Sequence, residues 1–249
     1  ASVDSWASFI REGCEDSVPK LLEYQNERAN ARTLESARAL TRKPGGPVAI
    51  VNANLFDAET GKSVPGTTVL IDGNRIKAVG KASDVKIPAG AERIEARGRA
   101  LLPGLADMHV HMSAGEGVQH LAAGVTSVRD LANDTDTLLA MKRRIDAGEE
   151  VGPRIYMSGI IDGPGPFAGP TKVLVDNEAK ARAAVDNYAK LDYQAVKIYS
   201  SVKPELVPAI IKLAHEKNLR VGGHVPAYMT ARQFVEAGAD EIHHVNFIF

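Results

Sequence analysis

The sequence has few of the features that mark specialised classes of protein. It contains one cysteine, Cys14, so no disulfide can form within the chain, which fits a reducing compartment but does not establish one. No apolar run approaches the roughly 18–20 residues that a membrane-spanning helix needs. Neither sign of charge is in excess, because 30 Lys and Arg residues oppose 31 Asp and Glu residues. We therefore expect neither nucleic acid nor a membrane as a partner.

The composition that is present is typical of a folded globular protein, with 44% hydrophobic residues. Residues 1–10 lack the basic start and the apolar stretch of roughly 7–15 residues that a secretory signal requires. A chain that starts at Ala1 indicates processing or recombinant expression. A cytoplasmic location and a processed secreted or periplasmic form both stay open.

Three regions of the chain differ in their patterns. Residues 1–46 predict a helical extension that ends in a linker rich in proline and glycine. Residues 47–102 contain short β-runs separated by turn residues, with a tight turn at 72–74, and predict a small β-sandwich module. From Pro103 to the last residue, 249, β-runs alternate with helical stretches of about 10–15 residues, which is typical of repeated βα units.

These units predict the fold class and its principal elements. The candidate strands are 105–110, 125–130, 154–161, 195–199, 220–224 and 241–246, and the clearest helices are 136–147, 177–190, 204–217 and 230–237. The predicted class is α/β, a (β/α)₈ TIM-like barrel that is incomplete here, with about six βα units in residues 103–249. The small β-sandwich module and the helical extension precede it.

Two histidines at the end of the first candidate strand are the sharpest chemical signal. Side chains alternate between the faces of a strand, so His109 and His111 point the same way. Two neutral imidazoles on one strand form half of a metal site. The alternative is a pair of exposed histidines with no ligand.

Further strand ends carry residues of the same chemical type. Lys197 lies on the face opposite Val196 and Ile198, and burial inside a barrel would favour its neutral amine, which reacts with carbon dioxide to give a carbamate. A lysine that reaches solvent or pairs with a carboxylate is the alternative. His224 and the pair His243 and His244 end two later strands, at the barrel edge where catalytic groups collect.

The order of these residues resembles the amidohydrolase superfamily of metal-dependent hydrolases. The motif Pro-Gly-Xaa-Xaa-Asp-Xaa-His-Xaa-His spans 103–111, and a lysine on a strand and two strand-end histidines follow it. The branch that contains imidazolonepropionase-like and Xaa-Pro dipeptidase-like enzymes is the most similar. Segments 121–130 and 238–244 support the likeness, which covers roughly residues 47–249.

The resemblance implies a role for each matching residue. His109 and His111 would bind one of two divalent metal ions, for which zinc is the expected identity. Lys197 would be N-carboxylated and bridge the two metals, and His224 and His244 would hold the second; these last three are the expected catalytic residues. His244 is preferred to His243 because the family usually has an acidic or amide residue before this ligand.

The sequence also departs from the family pattern. Such enzymes place a metal-binding aspartate, which is also the base on the bridging water, at the end of the eighth strand. Only six candidate strands are present, so no residue takes this position. We therefore expect the remainder of the barrel to come from a missing C-terminal segment.

The implied reaction is hydrolysis of a C–N amide bond by a metal-bridging hydroxide. The substrate would be a dipeptide, an N-acyl amino acid or an aryl amide of an amino acid. One alternative is a lactone or ester hydrolase with the same site, and another is a catalytically silent fragment or metal-binding scaffold. The expected partners are a small-molecule amide substrate, the rest of the barrel and further copies of the chain in a homo-oligomer.

Two features near the predicted site bear on the substrate. The glycine- and proline-rich loop 163–171 follows the third barrel strand and would lie at the catalytic mouth. A rigid loop without substrate contact is the alternative. Tyr199 shares the face of Lys197, where it would either touch substrate or pack as a structural aromatic.

Overall fold

The computed structural model describes residues 9–165, 168–169 and 171–248. The described chain divides into two compact units, of which one comprises residues 40–105 and the other combines the residues before 40 with those from 106 onward. Residues 1–8 of the predicted helical extension lie outside the described residues, as do Pro166, Phe167 and Pro170 of the loop 163–171. The predicted division at 46 and 102 stays a prediction.

The unit of residues 40–105 is built on one mixed sheet of five strands. Its strands are β1 (Val48–Asp57), β2 (Lys62–Asp72), β3 (Arg75–Lys81), β4 (Glu92–Glu95) and β5 (Ala100–Leu101). The order is β3-β2-β1-β4, with β5 also paired to β1. The predicted tight turn joins β2 to β3, where Gly73 has the positive φ of 58° that such a turn favours.

The other unit contains a six-stranded sheet with helices between its strands. The strands are β6 (Leu105–Val110), β7 (Val125–Asp130), β8 (Arg154–Ile161), β9 (Ala195–Ile198), β10 (Arg220–Gly223) and β11 (Glu241–Ile242). Their spatial order follows the sequence, β11-β10-β9-β8-β7-β6, and the pairs from β7 to β11 are parallel. This curled sheet is half of a barrel, which confirms the predicted α/β class with an incomplete TIM-like barrel.

Local signals explain where the helices begin and end. The helices are α1 (Val18–Leu40), α2 (Gly117–Ala122), α3 (Thr135–Ala147), α4 (Glu178–Lys190), α5 (Val207–Glu216) and α6 (Ala231–Glu236). Asp134 caps α3 and Asn177 caps α4 through side-chain oxygens that accept backbone N–H groups. Thr230 and Gln233 form a capping box at α6. No helix in the described part of the chain is long and apolar enough to cross a membrane.

A single apolar core joins the outer face of the parallel sheet to its helices. Strand residues such as Val128, Ile155, Val196, Ile198 and Val221 pack with helix residues such as Leu138, Val185, Ile210 and Phe234. Because side chains alternate along a strand, burying this set turns the intervening residues toward the concave face. That face carries Lys197 and the strand-end histidines.

The last strand is shorter than the sequence predicts. β11 ends at Ile242 rather than at residue 246, and a short 3₁₀ turn occupies Val245–Phe247. His244 has a φ of 66°, a left-handed conformation that turns the chain out of the strand direction. This turn decides where the ring of His244 lies.

Candidate metal centre

Four strand-end histidines converge at the carboxyl edge of the parallel sheet. The ring centroids of His109 and His111 are 5.5 Å apart, and those of His109 and His244 are 4.7 Å apart. His224 lies 5.0 Å from His244 between ring centroids, and the fifth histidine, His243, lies 5.6 Å from His109. The structure thus brings together every histidine that the sequence singled out as a candidate ligand, from three separate strands.

Lys197 lies among these rings and is almost completely buried, with 1% of its surface exposed. Burial lowers the pKa of its amine from 10.5 to about 8; the nearby Asp130 carboxylate opposes this shift, and the Arg129 charge adds to it. Its Nζ atom is 5.4 Å from the centroid of the Tyr199 ring. The side chain is therefore enclosed, and its neutral form is accessible near neutral pH.

Four of these histidines, His109, His224, His243 and His244, have lowered pKa values that favour the neutral ring. Burial is the first cause of each shift and the Lys197 charge is the second: the pKa of His109 falls to about 4, and those of His224 and His243 fall to about 3. The pKa of His244 is lowered for the same two reasons. A neutral imidazole is the form that binds a metal, so these shifts suit metal ligands.

Two of the predicted ligands are fixed by hydrogen bonds of their other ring nitrogen. His111 Nδ1 donates to the carbonyl oxygen of Ala132 at 2.8 Å, which leaves Nε2 as the acceptor nitrogen. His224 Nδ1 and the Ser200 hydroxyl lie within hydrogen-bond distance at 2.8 Å. Contacts of this kind orient metal-binding histidines in proteins. Ser200 did not emerge from the sequence, because a serine after a strand carries no distinctive signal.

Asp130 is fully buried beneath the site and organises the loop after His111. Its carboxylate accepts hydrogen bonds from the backbone N–H of Met112 at 2.8 Å and from the Asn133 amide at 3.0 Å. Burial raises its pKa to about 6, although these hydrogen bonds act in the opposite direction. Asp107, two residues before His109 in the motif, accepts a hydrogen bond from the backbone N–H of His109 at 3.1 Å.

A second buried carboxylate, Asp162, ties together two loops at the same edge. It accepts backbone hydrogen bonds from Gly163 and Ser201 at 2.8 Å and from Gly169 at 2.7 Å. Gly169 lies against the ring of Tyr199, because a Cβ atom there would be 2.7 Å from Tyr199 Cε1. Tyr199 in turn packs on His224, with ring centroids 4.0 Å apart. The aromatic ring therefore packs within the site, and its contact with substrate stays a prediction.

The chemistry of these donors fits a metal ion. Four of the imidazoles have lowered pKa values, the rings lie close to one another, and both ring nitrogens of the buried His243 lack a hydrogen-bond partner within the described residues. Buried polar atoms of this kind normally have a partner, so a ligand is expected near them. Over residues 9–165, 168–169 and 171–248, no three His, Cys, Asp or Glu side chains form a ready metal-binding group as they stand. Lys197 is not one of these four residue types, so it does not count toward such a group.

Comparison with known sequences gives distant relatives that are named as deaminases and imidazolonepropionases. No family model matches the sequence. It is 24% identical to an adenine deaminase of Staphylothermus marinus over 243 residues, which cover 89% of this chain and 39% of the relative. It is 37% identical to an imidazolonepropionase of Anaeromyxobacter dehalogenans over 77 residues, covering 28% of this chain and 18% of the relative. The chain therefore spans well under half the length of these relatives.

Comparison with solved structures extends the similarity to most of the chain. A Bifidobacterium longum protein assigned as a prolidase matches with a TM-score of 0.71 and 25% identity, over 81% of this chain and 55% of that one. A prolidase in complex with N-methylphosphonate-L-proline matches with a TM-score of 0.65 and 25% identity, over 82% of this chain and 62% of the prolidase. Together with the sequence relatives, these neighbours point to the amidohydrolase superfamily, and they confirm the resemblance seen in the motifs.

Proposed function

We propose that this chain carries the metal-binding part of a binuclear, metal-dependent amidohydrolase that cleaves a C–N amide bond. The observation that carries the proposal is the position of Lys197, which is 1% exposed, has a pKa lowered to about 8, and lies among neutral histidines at the carboxyl edge of a half-barrel. A charged lysine at this depth is costly for the fold, so a chemical role is favoured.

The proposed modification of Lys197 follows from its neutral amine. The nitrogen adds to the carbon of CO₂ and loses one proton to solvent, which leaves a carbamate with two oxygens and one negative charge. At pH 7 the neutral fraction of an amine with a pKa of about 8 is about 300-fold larger than that of an unperturbed lysine. The carbamate would supply the anionic oxygens that the surrounding imidazoles lack.

The proposed assignment of residues to the two metals follows the superfamily resemblance, and the convergence of the rings supports it. His109 and His111, at the end of β6, would bind one divalent ion, while His224 and His244 would bind the second, with carboxylated Lys197 between them. When bound, the ions supply Lewis acidity and lower the pKa of a water molecule toward about 7. Zinc is the proposed metal, because neutral imidazoles with an oxygen donor suit it.

The names of the relatives support C–N bond hydrolysis as the reaction class. They include an adenine deaminase and an imidazolonepropionase among sequences, and prolidases among structures. Within this class we propose a dipeptide, an N-acyl amino acid or an aryl amide of an amino acid as substrate. The complex of one neighbour with N-methylphosphonate-L-proline supports the first of these.

The rest of the active enzyme is proposed to lie beyond the six strands described. The neighbours are longer than this chain, which covers 55% of one and 62% of another. A closed barrel needs eight strands, so two further βα units would complete it and bring the aspartate that serves as base. We further propose that residues 103–249 form the catalytic domain, that 47–102 form an accessory module, and that the enzyme is a homo-oligomer.

The test compares hydrolysis by the zinc-loaded full-length protein, which includes the segment that completes the barrel, with hydrolysis by two lysine variants of it. Lys197→Ala should lose amide hydrolysis and regain part of it with added short carboxylates, whereas Lys212→Ala, at an exposed position of α5, should retain full activity. Amide, ester and lactone substrates are assayed side by side. Full activity of Lys197→Ala without added carboxylate would contradict the binuclear proposal. A preference for lactones would replace the amide substrate class.

A further inference from the structure

One side chain, Arg129, connects three strands of the half-barrel. It belongs to β7, its Nε–H donates to the backbone carbonyl of Met108 in β6 at 3.0 Å, and its Nη1–H donates to the Glu241 carboxylate in β11 at 2.6 Å. The Arg129 and Glu241 side chains are only 20% and 26% exposed. A bond between partly buried charged groups is stronger and more directional than a surface ion pair.

The strand order shows that this bond crosses the concave face of the sheet. β6 and β11 are the two outermost strands, with four strands between them. The backbone ladders join only neighbouring strands, so they do not fix the separation of β6 and β11. The ion pair joins Arg129 in β7 to Glu241 in β11, 112 residues further along the chain, and the Arg129 bond to Met108 extends the link to β6.

The same separation decides whether the histidines meet. His109 ends β6 and His244 follows β11, yet their ring centroids are 4.7 Å apart. Glu241 is three residues before His244, and its other oxygen is 3.7 Å from Nε2 of His243. The two ends of the histidine cluster are therefore attached to the two ends of the same ion pair.

Gly222 in β10 leaves room on the concave face for the side chains of Glu241 and His243. Gly222 pairs with Glu241 on one side and with Lys197 on the other, so the three residues share a level of the concave face. A Cβ atom at Gly222 would lie 2.5 Å from Glu241 Cγ and 2.8 Å from His243 Nε2. The absence of a side chain there is what lets Glu241 extend toward Arg129.

We infer that Arg129 and Glu241 form a cross-barrel positioning pair, which holds β11 at the distance from β6 and β7 that brings His244 against His109. Neither residue is assigned a place among the ligands. Their effect on metal binding rests on the proposed function, whereas their effect on the ring geometry does not. Outer contacts that orient metal ligands typically change metal affinity by about 10–100-fold.

The first arm of the test needs no metal. In metal-free protein with labelled histidines, nuclear Overhauser contacts between the rings of His109 and His244 should be present in the wild type. They should be lost in Arg129→Met and in Glu241→Gln. The matched control is Asp146→Asn, which removes a 2.7 Å ion pair with Lys142 on α3 and should keep the ring contacts. Ring contacts that persist in both folded site variants would refute the positioning role.

The second arm separates this inference from the proposed function. Co²⁺ titration without substrate should show affinity weakened about 10–100-fold in each single variant, and no further weakening in the double variant. Fully additive losses would show that the two residues act independently and would also refute the pair. If the wild type binds no Co²⁺ while the ring contacts behave as expected, the metal proposal fails and the positioning pair stands. Urea unfolding of each variant identifies general loss of structure.

Discussion

Replacement of Gly222 by alanine is the most local test of how the site is packed. The added Cβ would lie 2.5 Å from Glu241 Cγ, whereas carbon atoms in contact normally lie about 3.5–4.0 Å apart. The overlap of about 1 Å involves the middle of the glutamate side chain, so rotation of its carboxylate alone does not relieve it. Glu241 must then move as a whole, and its bond to Arg129 breaks.

The size of the effect follows from this overlap. Overpacking of a buried position costs about 1–3 kcal/mol of unfolding free energy. In a chain of this length, each kcal/mol lowers the melting temperature by about 2–4 °C, so Gly222→Ala should melt about 2–12 °C below the wild type. Calorimetry measures the melting temperature, and Co²⁺ titration should show weakened metal binding in the same variant.

Two controls identify the cause. Gly90→Ala adds a methyl group with no atom within 4 Å and should change stability by no more than about 0.5 kcal/mol. In a Glu241→Ala background the closest overlap disappears, so Gly222→Ala should cost less there than in the wild type. Two results would refute the packing explanation. One is a melting temperature of Gly222→Ala equal to that of Gly90→Ala, and the other is an equal loss of unfolding free energy with and without the Glu241 side chain.

Three other predictions concern the surroundings of the site. Ser200→Ala should weaken Co²⁺ binding by about 10–100-fold with little loss of stability, because it removes the hydroxyl that orients His224; unchanged affinity would show that this contact is dispensable. Tyr188→Phe should lower the unfolding free energy by about 1–3 kcal/mol, because it removes the hydroxyl that donates a hydrogen bond to the buried carbonyl of Ile160. Metal affinity should stay unchanged, and a loss of it would contradict a purely structural role of Tyr188. At constant dissolved CO₂, ¹³C NMR of metal-free protein should show the Lys197 carbamate rising with pH through about 8, because its lowered pKa favours the neutral amine; a rise only near pH 10.5, the ordinary lysine value, would contradict it.

The sequence was sufficient to predict which residues meet at the carboxyl edge of the sheet. The alternation of β-runs and helices predicts parallel strands, as β9 and β10 are. The alternation of side chains predicts that Lys197 faces away from Val196 and Ile198, and all three residues of β9 are buried. His109, His111 and His224 lie where their strand ends predict. Local patterns carry this information because strand direction and face are local properties.

Other features could not be predicted because they depend on the closed geometry of the sheet. The Arg129 and Glu241 pair joins residues 112 positions apart, and neither residue lies in a pattern that encodes the other. The position of the His244 ring depends on a φ of 66° at a residue other than glycine, which the neighbouring residues do not signal. The same turn explains why β11 ends four residues before the predicted strand does.

We propose that carboxylated Lys197 joins two metal ions held by four histidines. The most direct measurement is the zinc content of protein equilibrated with zinc and bicarbonate and then freed of unbound metal. Two zinc ions per chain are expected in the wild type and in Lys212→Ala, and at least one fewer in Lys197→Ala. A wild type that retains no zinc, or a Lys197→Ala variant that retains both ions, would contradict it.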